Sequence, residues 1–176
     1  MSTPENPTEL EFEIDRLTNS VQDTVSGESF ETEVHLITRT DLKMVTRKNG
    51  WKFNWRKEFG DGRKTVCKLT LFNDPELIQG LLSISIEPDH VYMHLLENAP
   101  FNVGSKKRFN GVAGNLVAHA CRVSFQEGFD GFVAFTSKTQ LIDHYRIVLG
   151  AVLLNGQRMI IPENAARQLV RKYFKQ

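Results

Sequence analysis

Residues Arg108 to Gly114 read Arg-Phe-Asn-Gly-Val-Ala-Gly, between a strongly apolar stretch and the start of a long amphipathic one. That arrangement suits an anion. Glycine lets the backbone approach a ligand closely, and the unpaired N–H groups of a helix start donate to phosphate oxygens. Lys106, Lys107 and Arg108 bring three cations to the same turn, which favours a diphosphate. The competing assignment is a glycine-containing helix start that holds nothing. Two groups just upstream could move a proton. Glu97 ends an apolar run, and a carboxylate there can take up a proton, directly or through water. His94 is the alternative base, but strand alternation turns it away from the Glu97 face. For both, a solvated or hydrogen-bonded side chain is the ordinary role. His35, His90, His119 and His144 lack ligand spacing, and His90-x-x-x-His94 lacks the helix and glutamate of a zinc site, so no metal is expected.

The elements around these residues follow from periodicity. Leu77 to Ile86 and Val91 to Leu96 read as strands joined at Pro88-Asp89, and with a strand at Thr65 to Phe72 they make an antiparallel meander. Val112, Leu116, Ala120 and Val123 recur at helical spacing over Val112 to Glu127. Phe132 to Thr136 is a continuous apolar run, as for a strand covered on both faces, so strand, helix and strand form a parallel crossover. Asn155-Gly156 predicts a hairpin between Ala151 to Leu154 and Arg158 to Ile161. Pro162 then opens a helix with Ala166, Leu169, Val170 and Tyr173 as its packing stripe.

Towards the start, Val34 to Thr38 alternates as a first strand, Thr40 can cap a short helix over Asp41 to Lys48, and Trp51, Phe53 and Trp55 alternate with charged residues as an extended aromatic segment. The fold class expected is α+β: a mixed, largely antiparallel sheet with one parallel βαβ crossover and helices on both faces. Met1 to Ser29 is expected to be an acidic, disordered tail, with a short helix or strand near Leu10 to Leu17, ahead of a single domain over 30–176.

Charge divides the same way. Met1 to Glu33 carries nine acidic residues against Arg16 alone, while the rest carries 21 Lys and Arg against 12 Asp and Glu. The acidic tail is therefore expected to lie over the basic face and compete with acceptors. No run of about 18 apolar residues predicts a membrane span, and the polar, acidic start does not resemble a secretory signal. Cys67 and Cys121 stand apart, so reduced, cytoplasmic thiols are expected.

The spacing Arg108-x-x-Gly111-x-Ala113 resembles the acyl-CoA signature of the GNAT superfamily of acyl-CoA-dependent N-acetyltransferases, and the order of elements from about Leu81 to Leu154 resembles that family too. The resemblance implies acetyl-CoA as acyl donor, without a metal. The strands Val91 to Leu96 and Phe132 to Thr136 would splay around the pantetheine arm, with backbone near Leu95 and Leu96 pairing to it and stabilising the oxyanion. Arg108, Phe109, Asn110, Gly111, Val112, Ala113 and Gly114 would wrap the diphosphate. Tyr145 would donate a proton to the leaving thiolate, although it precedes Leu149 by four residues where the family has three, so a helical bulge, or His144 or Arg146 in its place, is the alternative. The implied partner is an amine acceptor, small molecule or protein, with no membrane, and a homodimer can be accommodated. Two rival functions remain: a GNAT-like module that binds CoA or another ligand without turnover, and nucleic-acid binding through Arg39 to Lys68, which holds ten Lys and Arg against three acidic residues. Nucleic acid is the least favoured partner.

Overall fold

The computed structural model describes residues 8–11, 14–15, 17–18 and 20–174. The centre is a meander of β4 (Thr32–Leu36), β5 (Thr65–Leu71), β6 (Asp74–Ile86) and β7 (Val91–Asn98), each antiparallel to the next. Chain direction changes at the following element. After a two-residue strand, β8 (Phe109–Asn110), helix α3 (Val112–Gln126) crosses the sheet and returns the chain as β9 (Val133–Ser137), parallel to β7. Helix α4 (Ile142–Leu149) leads into the hairpin β10 (Val152–Asn155) and β11 (Arg158–Ile161), whose second strand pairs antiparallel with β9, and helix α5 (Glu163–Tyr173) ends the described chain. The sheet order is thus β10-β11-β9-β7-β6-β5-β4.

Period-two alternation in β5 and β6 sorts the core onto two faces. Leu82 and Ile84 join Leu69, Leu116, Val117 and Leu169 beneath α3 and α5, while Val66 and Leu81 join Leu42, Trp51 and Trp55 on the other side. Of the expected packing stripes of α3 and α5, Val112, Leu116, Ala120, Ala166, Leu169 and Tyr173 are buried, while Val123 and Val170 are half-buried at the edge of the core.

Three stretches depart from the sequence expectation. The first helix is shorter than Asp41 to Lys48: α1 spans Arg39–Leu42, capped by Thr38 in a capping box with Asp41, and a separate 3₁₀ turn over Arg47–Asn49 is closed by Gly50 at φ 96°. Trp55 is not in an extended segment. It opens α2 (Trp55–Gly60), whose start is capped by Asn54 accepting from Lys57 N–H. Residues Trp51 and Trp55 are four apart, a spacing that strand and helix periods share, and the cap decides between them.

The third departure is the largest. Part of the expected disordered tail is paired, and four of its described residues, Leu10, Ile14, Thr18 and Val21, are buried, while 24–29 are exposed. Strand β1 (Glu9–Leu10) lies parallel on β9, a second parallel contact beside that of β7, and β2 (Val21–Asp23) pairs with both β3 (Ser29–Phe30) and β8 in a separate small sheet. Leu10, Ile14 and Val21 are core residues.

Candidate functional site

Strands β7 and β9 pair only at Val91 with Val133 and Tyr92 with Ala134, and beyond those positions they part. The next residues of β9 take β1 instead: Glu9 lies opposite Thr136 and Leu10 opposite Ser137, with Lys138 N–H donating to Leu10 O at 3.1 Å. Strand β1 also packs against β7. The gap expected to receive an extended arm therefore holds an extended piece of the chain itself. Leu95 and Leu96, on the β7 side of this gap, are buried and pair through β6 with Ser83 and Leu82.

At the end of the gap sits the glycine turn. Asn102 fixes it by accepting Phe109 N–H at 3.1 Å while its amide donates to Gln79, and Thr24 N–H donates to Arg108 O. Gly111 adopts φ 87°, a left-handed conformation that favours glycine, and begins α3. Its N–H donates to the carboxylate of Asp15 at 3.2 Å, and Lys107 Nζ pairs with the same carboxylate at 3.1 Å. An acidic group at a helix N-terminus is the favourable sign for the helix dipole. Thr18 covers Gly111 so closely that a Cβ there would collide with its hydroxyl, and at Gly114 a Cβ would meet Leu17 at 3.1 Å and the Tyr173 ring at 2.9 Å. Val112, Ala113 and Gly114 are buried, Asn110 is half-buried, Phe109 is in the core, and Arg108 is exposed with its guanidinium 5.1 Å from the Phe109 ring.

Further contacts hold the same segment. Ile14 N–H donates to His144 Nε2 at 2.8 Å, Thr18 N–H donates to the Tyr173 hydroxyl at 3.0 Å, and Glu11 bridges Lys52 and Lys138. Hydrogen bonds from Lys138 and then Lys52 hold the Glu11 carboxyl below its usual range. Sequence reasoning did not find Asp15 as the partner of the turn, nor Glu11 and His144 as the groups that hold the segment carrying it; the spacing of Leu10 and Ile14 across two intervening acidic positions was the available signal.

Of the proton-moving candidates, Glu97 is 3% exposed and has its oxygens occupied. One accepts Lys52 N–H at 2.7 Å; the other accepts Trp55 Nε1–H at 2.7 Å and Phe53 N–H at 3.2 Å. This carboxylate pins the chain between α1 and α2 to the sheet, which leaves it poorly placed to serve as a base. His94 is differently placed. The β6–β7 register slips between Ser83 and Ile84, leaving His94 as the extra residue opposite them, so simple alternation no longer sets its direction. Its Nε2 lies 2.7 Å from Ser85 Oγ, which donates to Glu87 at 2.8 Å. With the Ser85 hydroxyl donating to Glu87, the compatible tautomer is the one in which Nε2–H donates to Ser85 Oγ and Nδ1 is the acceptor. Burial, reinforced by the Lys64 charge, lowers the His94 pKa and keeps the ring neutral. The Tyr92 ring lies tilted against it, centroids 4.8 Å apart, and its hydroxyl hydrogen-bonds Thr136 across the gap.

Tyr145 is buried, edge-on to Phe135 at 5.2 Å. Its helix closes widely: Gly150, at φ 70°, donates its N–H to Tyr145 O, five residues back rather than four. His144 faces the segment through Ile14, and Arg146 pairs with Asp143 on the surface. Trp51 and Trp55 are buried, and Lys52, Lys64 and Lys68 are engaged by Glu11, Glu58 and Asp41, so the basic segment Arg39 to Lys68 does not present its tryptophans for base stacking. Among the described residues no group of three or more His, Cys, Asp and Glu side chains could hold a metal ion, and no helix is long and apolar enough to cross a membrane. Cys67 and Cys121 are buried free thiols, pushed by burial up to about 11 and about 12.

The architecture has known counterparts. No family model matches the sequence, and no curated protein does. Among solved structures, the ribosomal-protein-S18-alanine N-acetyltransferase of Escherichia coli aligns with a TM-score of 0.53 over 74% of this chain and 93% of its own, at 14% identity. The spermidine N-acetyltransferase of Vibrio cholerae in complex with CoA and spermine gives 0.52 over 78% and 98%, at 15% identity. The AtaT toxin bound to acetyl-CoA and the C-terminus of the antitoxin AtaR gives 0.56 over 83% and 99%, at 15% identity. These are GNAT acetyltransferases, and the chain has their fold.

Proposed function

We propose that this chain is an acyl-CoA-dependent N-acetyltransferase that moves an acetyl group to an amine, on a small molecule or a protein, by direct attack in a ternary complex. One observation carries the reading: the gap between β7 and β9 runs into a helix start whose Gly111 amide and Lys107 ammonium already hold an anion, the Asp15 carboxylate. In this reading backbone at Leu95 and Leu96 takes the pantetheine arm and the oxyanion, and residues 108–114 take the diphosphate. His94 is the base in place of Glu97. The amine gives its proton to His94 Nδ1, the nitrogen bonds to the acetyl carbon, the carbon–sulfur bond breaks, and Tyr145 protonates the thiolate. The self-filled gap favours one alternative, a GNAT-like module without turnover.

The test is release of free thiol from acetyl-CoA by the full chain with polyamines, aminoglycosides and lysine or N-terminal peptides as acceptors. Amine-dependent release is expected. Binding of acetyl-CoA without release selects the alternative, and no binding at high micromolar donor overturns both. Gly111→Glu is a poor control, since the left-handed backbone and the Thr18 contact make it disruptive whatever the ligand.

A further inference from the structure

The described residues between Glu9 and Ser20 do in the closed chain what a donor would do in the open one. Glu9–Leu10 is an extended strand on the β9 edge where β7 leaves it, the position of an extended arm. Asp15 places a carboxylate on the Gly111 N–H and beside Lys107, the position of a diphosphate oxygen. Leu17 and Thr18 close over Gly114 and Gly111, where the backbone would have to meet a ligand. A single N–H proton and a single gap between two strands cannot serve two occupants at full strength.

We propose that this segment is an internal competitor of the acyl donor: it and an acyl-CoA claim the same groove, and the donor enters only as the segment leaves. The inference rests on the donor assignment above and adds the control of that site. The attachment suits exchange. The Lys107 and Asp15 side chains are 27% and 13% exposed, and those of Lys52 and Lys138 are 64% and 44% exposed, so water and a polyanion can reach the cations that the segment's carboxylates now hold. Lys107 changes partner from carboxylate to phosphate, keeping its charge compensated in both states. The acidic tail thus competes at the donor groove, whereas its charge by itself suggested the acceptor face.

The experiment is calorimetric titration of CoA into the full chain and its Asp15→Asn and Glu11→Gln variants, with hydrogen–deuterium exchange on the same samples. Asp15→Asn can still accept from Gly111 but loses the Lys107 pair, and it is expected to bind CoA about tenfold more tightly, the scale of one charged contact. Glu11→Gln, farther from the diphosphate position, shifts affinity in the same direction and guards against a folding defect at Asp15. CoA should raise exchange over 9–23 while lowering it over 111–116. Equal affinities in all three proteins, with exchange over 9–23 unchanged on binding, overturn the competitor and leave the donor site standing. Failure of all three to bind CoA removes the donor site, and the competitor with it.

Discussion

Two segments lie against the parting half of β7, and they are fixed there by different means. The stretch between α1 and α2 is anchored by Glu97, a carboxylate sealed among Trp51, Trp55 and Leu81 and saturated by two backbone amides and an indole. The stretch from Glu9 to Ser20 is anchored by Asp15 and Glu11, carboxylates that share half-open lysines, with Leu10 and Ile14 as apolar ballast. Burying those two side chains contributes about 3–6 kcal/mol, an upper figure, which keeps the groove closed without donor yet lies within reach of a micromolar ligand at about 8 kcal/mol. The same functional group becomes a permanent fixture where its donors belong to a closed core, and an exchangeable one where its partners face water.

That contrast can be broken most forcefully at Glu97. Glu97→Ala strands the buried Trp55 indole and two part-buried backbone N–H groups, and is expected to cost about 3–5 kcal/mol, lowering the melting temperature by roughly 6–20 °C. Lost transfer activity at an unchanged melting temperature would instead give Glu97 a chemical role. The fixed core has a pH signature as well. Burial, with the Arg122 charge adding to it, pushes His119 on α3 down to about 4, so the unfolded chain takes up its proton first as pH falls. Stability from this group is complete above about pH 6.5 and declines by about 3 kcal/mol towards pH 4; His119→Gln should flatten that slope in denaturant titrations. On the chemical side, His94→Gln is expected to lower kcat about a hundredfold while the melting temperature and CoA affinity stay near wild type. The wild-type rate should keep its acid limb below the ordinary histidine range, because the neutral base persists there. An unshifted limb in His94→Gln would remove His94 from the reaction.

Much of the fold was legible because long periodic elements dominate it: the meander, α3, the hairpin at Asn155-Gly156 and α5 all follow from apolar spacing and turn residues. The GNAT resemblance came from Arg108, Gly111 and Ala113 together with that order. What escaped was long-range pairing of short elements. Glu9–Leu10 gains its strand from the edge of β9 that β7 leaves, a pairing that the local pattern, open between helix and strand near Leu10 to Leu17, does not reveal. The surroundings of Glu97 and His94 escaped for two reasons. Nothing in the local pattern reveals that Lys52, Phe53 and Trp55 come to rest on Glu97. The bulge opposite Ser83 and Ile84 also breaks the alternation by which His94 had been turned away.

In the proposed scheme one turn binds either Asp15 or a diphosphate. A crystal structure of the full chain with CoA tests it most directly. The expected result is a diphosphate on the amides of 111–114 beside Lys107, the pantetheine arm between β7 and β9, and Asp15 withdrawn from Gly111. Asp15 still bonded to Gly111 with CoA bound elsewhere would contradict it.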